Sequence, residues 1–241
     1  MSYAVDAANS AMPEAGQGEA QAATRLVLIR HGETDWNAQS RIQGHIDIGL
    51  SERGRQQAQA LAGCLRGEAL SAIYASDLGR ARQTALPLAL DQGLELRLDP
   101  RLRERGFGLF EGSTYTEAKA NWPNEYAIWQ RRDPGHAVPG GESYLEARAR
   151  VLQCLEEIVR RHADQPVAVV THGGVLDIVY RFAHGIAWET PRSHLIPNAC
   201  INRVSARWAR RAGPDGSTRL ELTVHTWAEN RHLEDIRDEL S

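Results

Sequence analysis

Short apolar runs alternate with longer amphipathic segments along most of the chain. The runs at 26–29, 70–75, 94–98 and 166–171 have the length of buried strands, and a polar residue follows each of them. Between these runs, apolar residues recur every three or four positions, which is the spacing of a helix with one buried face. Because strands that alternate with helices build parallel sheets, the pattern predicts an α/β fold with a mostly parallel central sheet.

Two of the predicted helices carry clear start signals. Ser51 opens the first helix, and Gly67 is placed to end it. The apolar face of this helix consists of Ala58, Leu61, Ala62 and Leu65. Ser143 and Glu146 form a capping box that opens a longer helix extending to about residue 162. The apolar face predicted for the longer helix consists of Leu145, Ala149, Leu152, Leu155 or Glu156, and Val159.

A third helix follows the apolar run at 70–75 and carries Arg80 near its beginning. Ser76 or Asp77 is predicted to cap this helix, which extends to about residue 90, with Pro87 bending or shortening it. A helix N-terminus has free N–H groups and a partial positive charge. An arginine placed there therefore suits an anionic ligand better than it suits the helix.

The pattern changes beyond Pro197 to two alternating runs, at 199–208 and 220–227, joined around 214–216. Such alternation predicts an antiparallel hairpin. Together with the preceding strands and helices, it gives one three-layer α/β/α domain over residues 25–241, in which the sheet is mostly parallel and has room for one antiparallel strand. Residues 1–24 are rich in small and polar residues and are predicted to form a flexible tail, or a short helix at most.

Composition and charge argue against several classes of protein. The chain of 241 residues has a net charge of -3, and Lys119 is its one lysine. Acidic residues slightly outnumber basic ones and no basic tract is interleaved with aromatic residues, so nucleic-acid binding is not expected. No run approaches the roughly 18 apolar residues of a membrane span. The first 24 residues do not resemble a secretory signal, and a cytoplasmic protein is therefore expected.

The cysteines and most of the histidines suggest no special chemistry. Three cysteines, Cys64, Cys154 and Cys200, are widely separated and predict neither a disulfide framework nor a metal site. Cys64 and Cys154 fall in predicted helices, where we expect small buried thiols. Seven histidines without ligand spacing are interpreted as surface or core residues: His45, His136, His162, His184, His194, His225 and His232.

The most informative segment follows the first apolar run. His31 and its neighbour Arg30 stand at the end of a predicted parallel strand, where such sheets place ligand chemistry. Further motifs follow in order along the chain: Gly32-Glu33-Thr34 with Trp36-Asn37, Leu50-Ser51-Glu52-Arg53-Gly54, Ala75-Ser76-Asp77-Leu78-Gly79-Arg80, Leu102-Arg103-Glu104-Arg105-Gly106, Pro139-Gly140-Gly141-Glu142-Ser143 and Val170-Thr171-His172-Gly173-Gly174. Over about residues 25 to 205, this series resembles the histidine phosphatase superfamily, also called the phosphoglycerate mutase-like family. The resemblance implies the phosphoglycerate mutase-like fold.

The resemblance also implies how three residues act in catalysis. His31 would attack phosphorus and become a phosphohistidine. His172 would stabilise the oxygens of the transferring group, and Glu104 would act as general acid for the leaving alcohol and later as general base. From the residues alone, a glutamate between two arginines is equally compatible with a solvated loop charge.

The remaining implied roles concern binding. The phosphate-binding residues are Arg30, Asn37 and Arg80, and the residues that border the substrate are Gln43, Gly44 and Gly173. A guanidinium stays protonated and pairs with phosphate through two N–H groups, which explains arginine at two of these positions. A surface salt bridge is the alternative for both arginines. Because the arginines supply the positive charge, neither a metal nor another cofactor is predicted.

Within this family the sequence favours a phosphatase over a mutase. Mutases that resemble this chain carry a longer insertion between the general acid and the second histidine, whereas here the 140–143 motif follows Trp129 after a short stretch. Arg131 and Arg132 argue the other way, because paired arginines in this region grip a second anionic group in mutases. They equally suit a phosphatase whose substrate carries two anionic groups.

The sequence therefore predicts a phosphomonoesterase whose partner is a small phosphorylated metabolite. The alternative is a phosphoglycerate mutase that depends on 2,3-bisphosphoglycerate, and the alternative from another class is a non-catalytic module that binds a phosphorylated ligand. The substrate and the oligomeric state, including a homo-oligomer, stay open at this point.

Overall fold

The computed structural model describes residues 23–210 and 218–238. Most of the predicted tail, residues 1–24, and the predicted turn at 214–216 lie outside the described residues. A six-stranded sheet forms the middle layer of the fold. Its strands are β1 (Thr24–Arg30), β2 (Ala72–Ala75), β3 (Leu96–Leu98), β4 (Pro166–Thr171), β5 (Ile201–Arg210) and β6 (Thr218–Glu229).

The order of the strands in the sheet is β3-β2-β4-β1-β5-β6. The pairs β1–β4, β2–β4 and β2–β3 are parallel, whereas β5 is antiparallel to both β1 and β6. The sheet is therefore mostly parallel, and the predicted terminal hairpin is confirmed. In the β1–β4 pair Arg30 lies opposite Thr171, so these two strands end at the same level.

The helices connect the strands and cover the sheet. They are α1 (Asp35–Ala38), α2 (Glu52–Leu65), α3 (Gly79–Gln92), α4 (Tyr115–Asn121), α5 (Pro123–Gln130), α6 (Tyr144–Arg161), α7 (Gly173–His184) and α8 (Glu234–Asp238). The hydroxyl groups of Ser51 and Ser143 accept backbone N–H groups of the first turns of α2 and α6, which confirms both predicted caps. Across the described ranges, no helix combines the length and the apolar character needed to cross a membrane.

The sheet is packed between two layers of helices. On one face, α2 and α3 bury Leu61, Leu65 and Leu88 against the sheet. On the other face, α6 and α7 bury Val151 and Ile178 in a second apolar cluster. Each buried leucine contributes about 1.5–3 kcal/mol relative to an exposed position. The predicted three-layer α/β/α fold is confirmed.

Two of the local predictions around α2 and α3 were wrong. Leu78 is the N-cap of α3 and no side chain caps this helix, because the Asp77 carboxylate pairs with Arg103 instead. Cys64 is exposed, since it lies on the outer side of α2. Pro87 lies inside α3 without ending the helix, which continues to Gln92.

The predicted apolar face of α6 is correct at Leu155 and Val159 and wrong at Leu145 and Ala149, which are exposed. Leu145 is 52% exposed, and the stripe that packs on the sheet is rotated around the helix. The buried residues of α6 are Tyr144, Ala147, Val151, Cys154, Leu155, Ile158 and Val159. Tyr144 begins this stripe, and its ring stacks on Trp188 with the centroids 4.3 Å apart.

The segment between Glu104 and α6 has a small core of its own. Phe110 and Tyr126 are buried there, and Trp122 and Trp129 pack against them. These aromatic side chains therefore pack mainly against one another within the segment.

Candidate active site

Two histidines meet at the carboxyl edge of the sheet. His31 follows β1, and His172 follows β4, the parallel strand beside it. Their ring centroids are 5.1 Å apart, and both side chains are buried. The order of the strands thus brings together two residues that are far apart in the sequence, at the edge where parallel sheets place ligand sites.

Hydrogen bonds define the tautomer of each imidazole. Nδ1 of His31 lies 2.7 Å from the carbonyl oxygen of Gly32, which can only accept, so Nδ1 carries the proton and Nε2 keeps its lone pair. Arg80 Nε donates to Nδ1 of His172 at 3.2 Å, so a neutral His172 carries its proton on Nε2. That buried nitrogen has no partner among the described residues. His31 therefore presents a nucleophilic nitrogen, and His172 presents a hydrogen-bond donor.

The same surroundings keep both imidazoles neutral. Burial lowers the pKa of His31 and of His172 well below the ordinary value, and the positive charge of Arg80 lowers both further. Arg30 acts in the same direction on each ring. At neutral pH the lone pair on Nε2 of His31 is therefore available for attack.

Arg30 and Arg80 bring two positive charges to the histidines and have few partners of their own. Arg30 donates from Nη1 to the carbonyl oxygen of Ile196, and its buried Nε has no partner among the described residues. Arg80 is fully buried and donates to His172 and to two backbone carbonyl oxygens. Because a guanidinium has five N–H groups, Arg80 keeps two for a ligand. In the described part of the chain neither arginine forms a salt bridge, and buried charges without such a partner indicate an anionic ligand.

Asn37 is held in place by a second asparagine. Its Oδ1 accepts from the backbone N–H of Thr34 and from Nδ2 of Asn198, both at 3.1 Å. Asn198 Nδ2 also donates to the carbonyl oxygen of His31 at 3.1 Å. Because the acceptor end of the Asn37 amide is occupied, its Nδ2 donor is left for a ligand. Sequence reasoning missed Asn198, which carries no motif signal.

Glu104 enters the site from the loop after β3. Its Oε2 accepts from the backbone N–H of Gly174 at 2.9 Å, and its Oε1 accepts from that of Arg105 at 2.8 Å. Gly174 lies in the first turn of α7, so the carboxylate stands at the positive end of this helix. A Cβ at position 174 would overlap the Glu104 carboxylate, and this close approach therefore requires glycine.

The predicted residues line a cavity of about 570 Å³. Of the predicted site residues, His172 lies outside the cavity wall, next to His31. Gln43 is buried in the wall and its Oε1 has no partner among the described residues. Gly44 accepts from Arg80 through its carbonyl oxygen, and a Cβ on Gly173 would lie 3.6 Å from Arg30 Nε.

No metal centre accompanies these residues in the ranges that the structure describes. Within 23–210 and 218–238, no group of three or more His, Cys, Asp or Glu residues is arranged to hold a metal ion. The positive charge of the site comes from the guanidinium groups that line the cavity.

The rest of the cavity wall is aromatic and cationic. Trp188 stacks on Tyr144, and the guanidinium of Arg132 lies 4.1 Å from the centroid of the Trp188 ring. Arg132 also donates from Nε to the Trp188 carbonyl oxygen at 2.8 Å. Arg192 belongs to the same wall, whereas Arg131 does not. The cavity therefore offers positive charge beyond the two histidines.

Two histidines interpreted as ordinary surface or core residues have contacts at this site. His45 is exposed, but its Nε2 donates to the Glu104 carbonyl oxygen at 2.8 Å. His194 Nε2 lies 3.0 Å from Asp177 Oδ1, and the other carboxylate oxygen of Asp177 accepts from Arg181 at 3.0 Å. Neither contact was visible in the sequence, because both partners come from distant segments.

Comparison with known proteins agrees with this geometry. The chain matches the model of the histidine phosphatase superfamily (branch 1) over residues 26–212. It is 34% identical to a glucosyl-3-phosphoglycerate phosphatase of Mycobacterium tuberculosis over 223 aligned residues. The alignment covers 89% of this chain and 92% of that protein. It is 40% identical over 163 residues to a metal-independent phosphoserine phosphatase of Arabidopsis thaliana, covering 65% of this chain and 67% of that protein.

A solved structure and a further relative complete the comparison. The structure of a mycobacterial glucosyl-3-phosphoglycerate phosphatase complexed with VO3 is 33% identical, with a TM-score of 0.74 over 86% of this chain and 99% of that chain. A probable phosphoglycerate mutase of Escherichia fergusonii is 35% identical over 184 residues, which are 75% of this chain and 84% of that protein.

This chain belongs to the histidine phosphatase superfamily. The predicted family and the predicted phosphoglycerate mutase-like fold are confirmed. The protein is an enzyme of the phosphatase type, and a mutase is the minor alternative.

Proposed function

We propose that this protein hydrolyses a small phosphomonoester through a phosphohistidine formed on His31. The observation that carries the proposal is the pairing of a neutral imidazole with two cations, Arg30 and Arg80, that have no carboxylate partner among the described residues. A phosphomonoester supplies both the negative charge that these arginines attract and the phosphorus that an imidazole attacks.

In the first step, Nε2 of His31 bonds to phosphorus and the bond between phosphorus and the alcohol oxygen breaks. Glu104 gives its proton to that oxygen as the alcohol leaves. The imidazole ring gains positive charge when it becomes phosphorylated, and the Gly32 carbonyl oxygen supports this charge through the bond to Nδ1. His172 Nε2 and the free donors of Asn37 bind the non-bridging oxygens, whose charge changes during transfer.

In the second step, water attacks phosphorus and the bond to His31 Nε2 breaks. Glu104, now a carboxylate, takes a proton from this water and is ready for the next cycle. Inorganic phosphate leaves and His31 is neutral again. A proton shuttle of this kind typically contributes about 10²–10⁴ in rate.

The alcohol part of the substrate carries a carboxylate in this proposal. Arg132 and Arg192 add positive charge to the cavity wall, and Arg132 is held there by its contacts with the Trp188 ring and carbonyl oxygen. The relatives named for glucosyl-3-phosphoglycerate and phosphoserine act on compounds that contain a carboxylate as well as a phosphate ester. Of the two neighbouring arginines, Arg132 is the one assigned to this role, because Arg131 is not in the wall.

The experiment that tests the proposal compares hydrolysis with isomerisation. Purified protein in EDTA receives p-nitrophenyl phosphate, phosphoserine or 3-phosphoglycerate, the last with and without 2,3-bisphosphoglycerate. Released phosphate and 2-phosphoglycerate are measured. We expect phosphate release that survives the chelator, that is lost in His31→Ala and that persists in His225→Ala, which changes an exposed histidine.

Two other outcomes would contradict the proposal. Bisphosphoglycerate-dependent formation of 2-phosphoglycerate with little phosphate release would identify a mutase, which the similarity to a probable mutase keeps as the second candidate. Binding of inorganic phosphate without turnover of any substrate would identify a non-catalytic binding module.

We propose that the partner of this site is the phosphorylated substrate and not a nucleic acid, and we propose a cytoplasmic location on the sequence arguments given above. The net charge of -3 supports the absence of nucleic-acid binding. Salt-sensitive retention on heparin at neutral pH would contradict this part of the proposal.

A further inference from the structure

The loop that carries Glu104 is held by one side chain of the neighbouring helix α6. Arg150 donates to the carbonyl oxygens of Arg101, Arg103 and Glu104 at 2.7, 2.8 and 2.9 Å. It also donates from Nε and Nη2 to the two carboxylate oxygens of Glu142, at 2.6 and 2.7 Å. A guanidinium has five N–H groups, and here every one of them has a partner.

Glu142 also contacts the Glu104 loop directly, through its own backbone. Its backbone N–H donates to the Gly106 carbonyl oxygen at 2.9 Å, and its own carbonyl oxygen accepts from Arg105 Nε at 2.8 Å. The backbone on both sides of Glu104 is therefore tied to the Arg150–Glu142 pair. The carboxylate of Glu142 also balances the charge of Arg150, so Arg150 acts on the loop mainly through hydrogen-bond geometry.

An ion pair alone does not explain this arrangement. The bidentate pair between Arg150 and Glu142 is complete with Nε and one N–H of Nη2, and it needs no backbone carbonyl groups. Three carbonyl oxygens of one loop converge on Arg150, and they belong to the residues that lead directly to Glu104. Such convergence fixes the path of the loop.

We propose that Arg150 is the positioning residue of Glu104, with Glu142 holding Arg150 in the required orientation. The inference rests on the proposed function, in which Glu104 protonates the leaving alcohol. The carboxylate of Glu104 lies between the loop and the N-terminus of α7, where it accepts from Gly174. A shift of the loop therefore moves the acid relative to the leaving oxygen, and a displacement of about 1 Å at a reacting group costs about 100-fold in rate.

The test uses leaving groups that differ in their need for a proton. Arg150→Met and Arg150→Lys are compared with the wild type on p-nitrophenyl phosphate, whose leaving group departs readily, and on an alkyl phosphate such as phosphoserine. We expect kcat for the alkyl phosphate to fall about 100-fold in Arg150→Met and kcat for p-nitrophenyl phosphate to fall less than about 5-fold. Inhibition by inorganic phosphate should stay within about 2-fold, because the phosphate-binding groups are untouched.

The controls separate positioning from a general loss of structure. Arg148→Met makes the same change two residues earlier on α6, where the side chain lies over Phe182, and we expect rates close to the wild type. If Arg150→Met does not fold, Glu142→Gln provides the second variant, because it weakens the support of Arg150 without changing the size of the side chain. It should show the same dependence on leaving group with a smaller magnitude.

A double-mutant cycle gives the decisive result. In the Glu104→Gln background, Arg150→Met should add almost no further leaving-group dependence, since the group that it positions is no longer an acid. An equal loss on both substrates, a loss of phosphate affinity, or an undiminished effect in the Glu104→Gln background would overturn the inference. If Glu104→Gln itself shows no leaving-group dependence, the acid role in the proposed function fails, and that failure is visible without any Arg150 variant.

Discussion

The buried neutral histidines make the stability of the folded protein depend on pH. Burial and the charges of Arg80 and Arg30 lower the pKa of His31 well below 6.5. The unfolded chain therefore binds a proton below about pH 6.5 that the folded chain does not bind. Because protons then favour the unfolded state, the free energy of unfolding falls as the pH falls below 6.5. The fall stops once the pH is below the pKa of the folded state, since both states then bind the proton.

The expected magnitude follows from one-proton linkage. Between pH 7 and pH 5.5, a histidine whose folded pKa is held well below the ordinary value costs up to about 1 kcal/mol of stability. His31→Gln removes this contribution. The variant should therefore lose less unfolding free energy over this interval than the wild type, by up to about 1 kcal/mol.

The assay is urea unfolding at several pH values between about 5.5 and 7, with the same probe for each protein. Ile73→Val serves as the control, because it removes a buried methylene group without changing a titratable group. It should lower stability by about 0.5–1.5 kcal/mol at every pH and keep the wild-type slope. A slope for His31→Gln equal to that of the wild type would refute the claim that the folded protein holds this imidazole neutral.

Two further predictions concern contacts that support the site. Gly174→Ala should lower kcat by at least about 100-fold, because the new Cβ overlaps the Glu104 carboxylate. As the control, Gly63→Ala in α2 should keep full activity and add up to about 1 kcal/mol of stability, because a Cβ there meets nothing within 4 Å. Steady-state kinetics and thermal unfolding of both variants check this prediction, and an active Gly174→Ala enzyme would contradict the overlap. Asn198→Ala should raise the inhibition constant for inorganic phosphate about 10-fold, because Asn37 loses the partner that orients its amide; unchanged inhibition would show that Thr34 alone holds Asn37.

Local sequence signals predicted much of the framework. Ser51 and Ser143 cap helices where the spacing indicates, and the apolar runs coincide with β1 and β4. These features depend on neighbouring residues only, since helix caps and strand periodicity act over a few positions. The same signals were less reliable at α6, where the periodicity identified a helix but the packing of its neighbours in the core decided which side is buried.

The identities of the main site residues were also available from the sequence, because they lie in motifs at the ends of strands and in the loops beside them. His31, Glu104 and His172 were predicted in this way, and the structure places all three together. Their chemical roles stay predictions that the proposed experiments test.

Tertiary structure alone decided how these residues are arranged. The sheet order places β4 beside β1, so two distant histidines become neighbours with opposite tautomers. Asn198, His45 and Arg150 contact Asn37 or Glu104 from segments that no local pattern connects to the site. The physical reason is that a sequence pattern reports burial and local hydrogen bonding, whereas the direction of each donor and acceptor depends on the packing of segments that are distant in the chain.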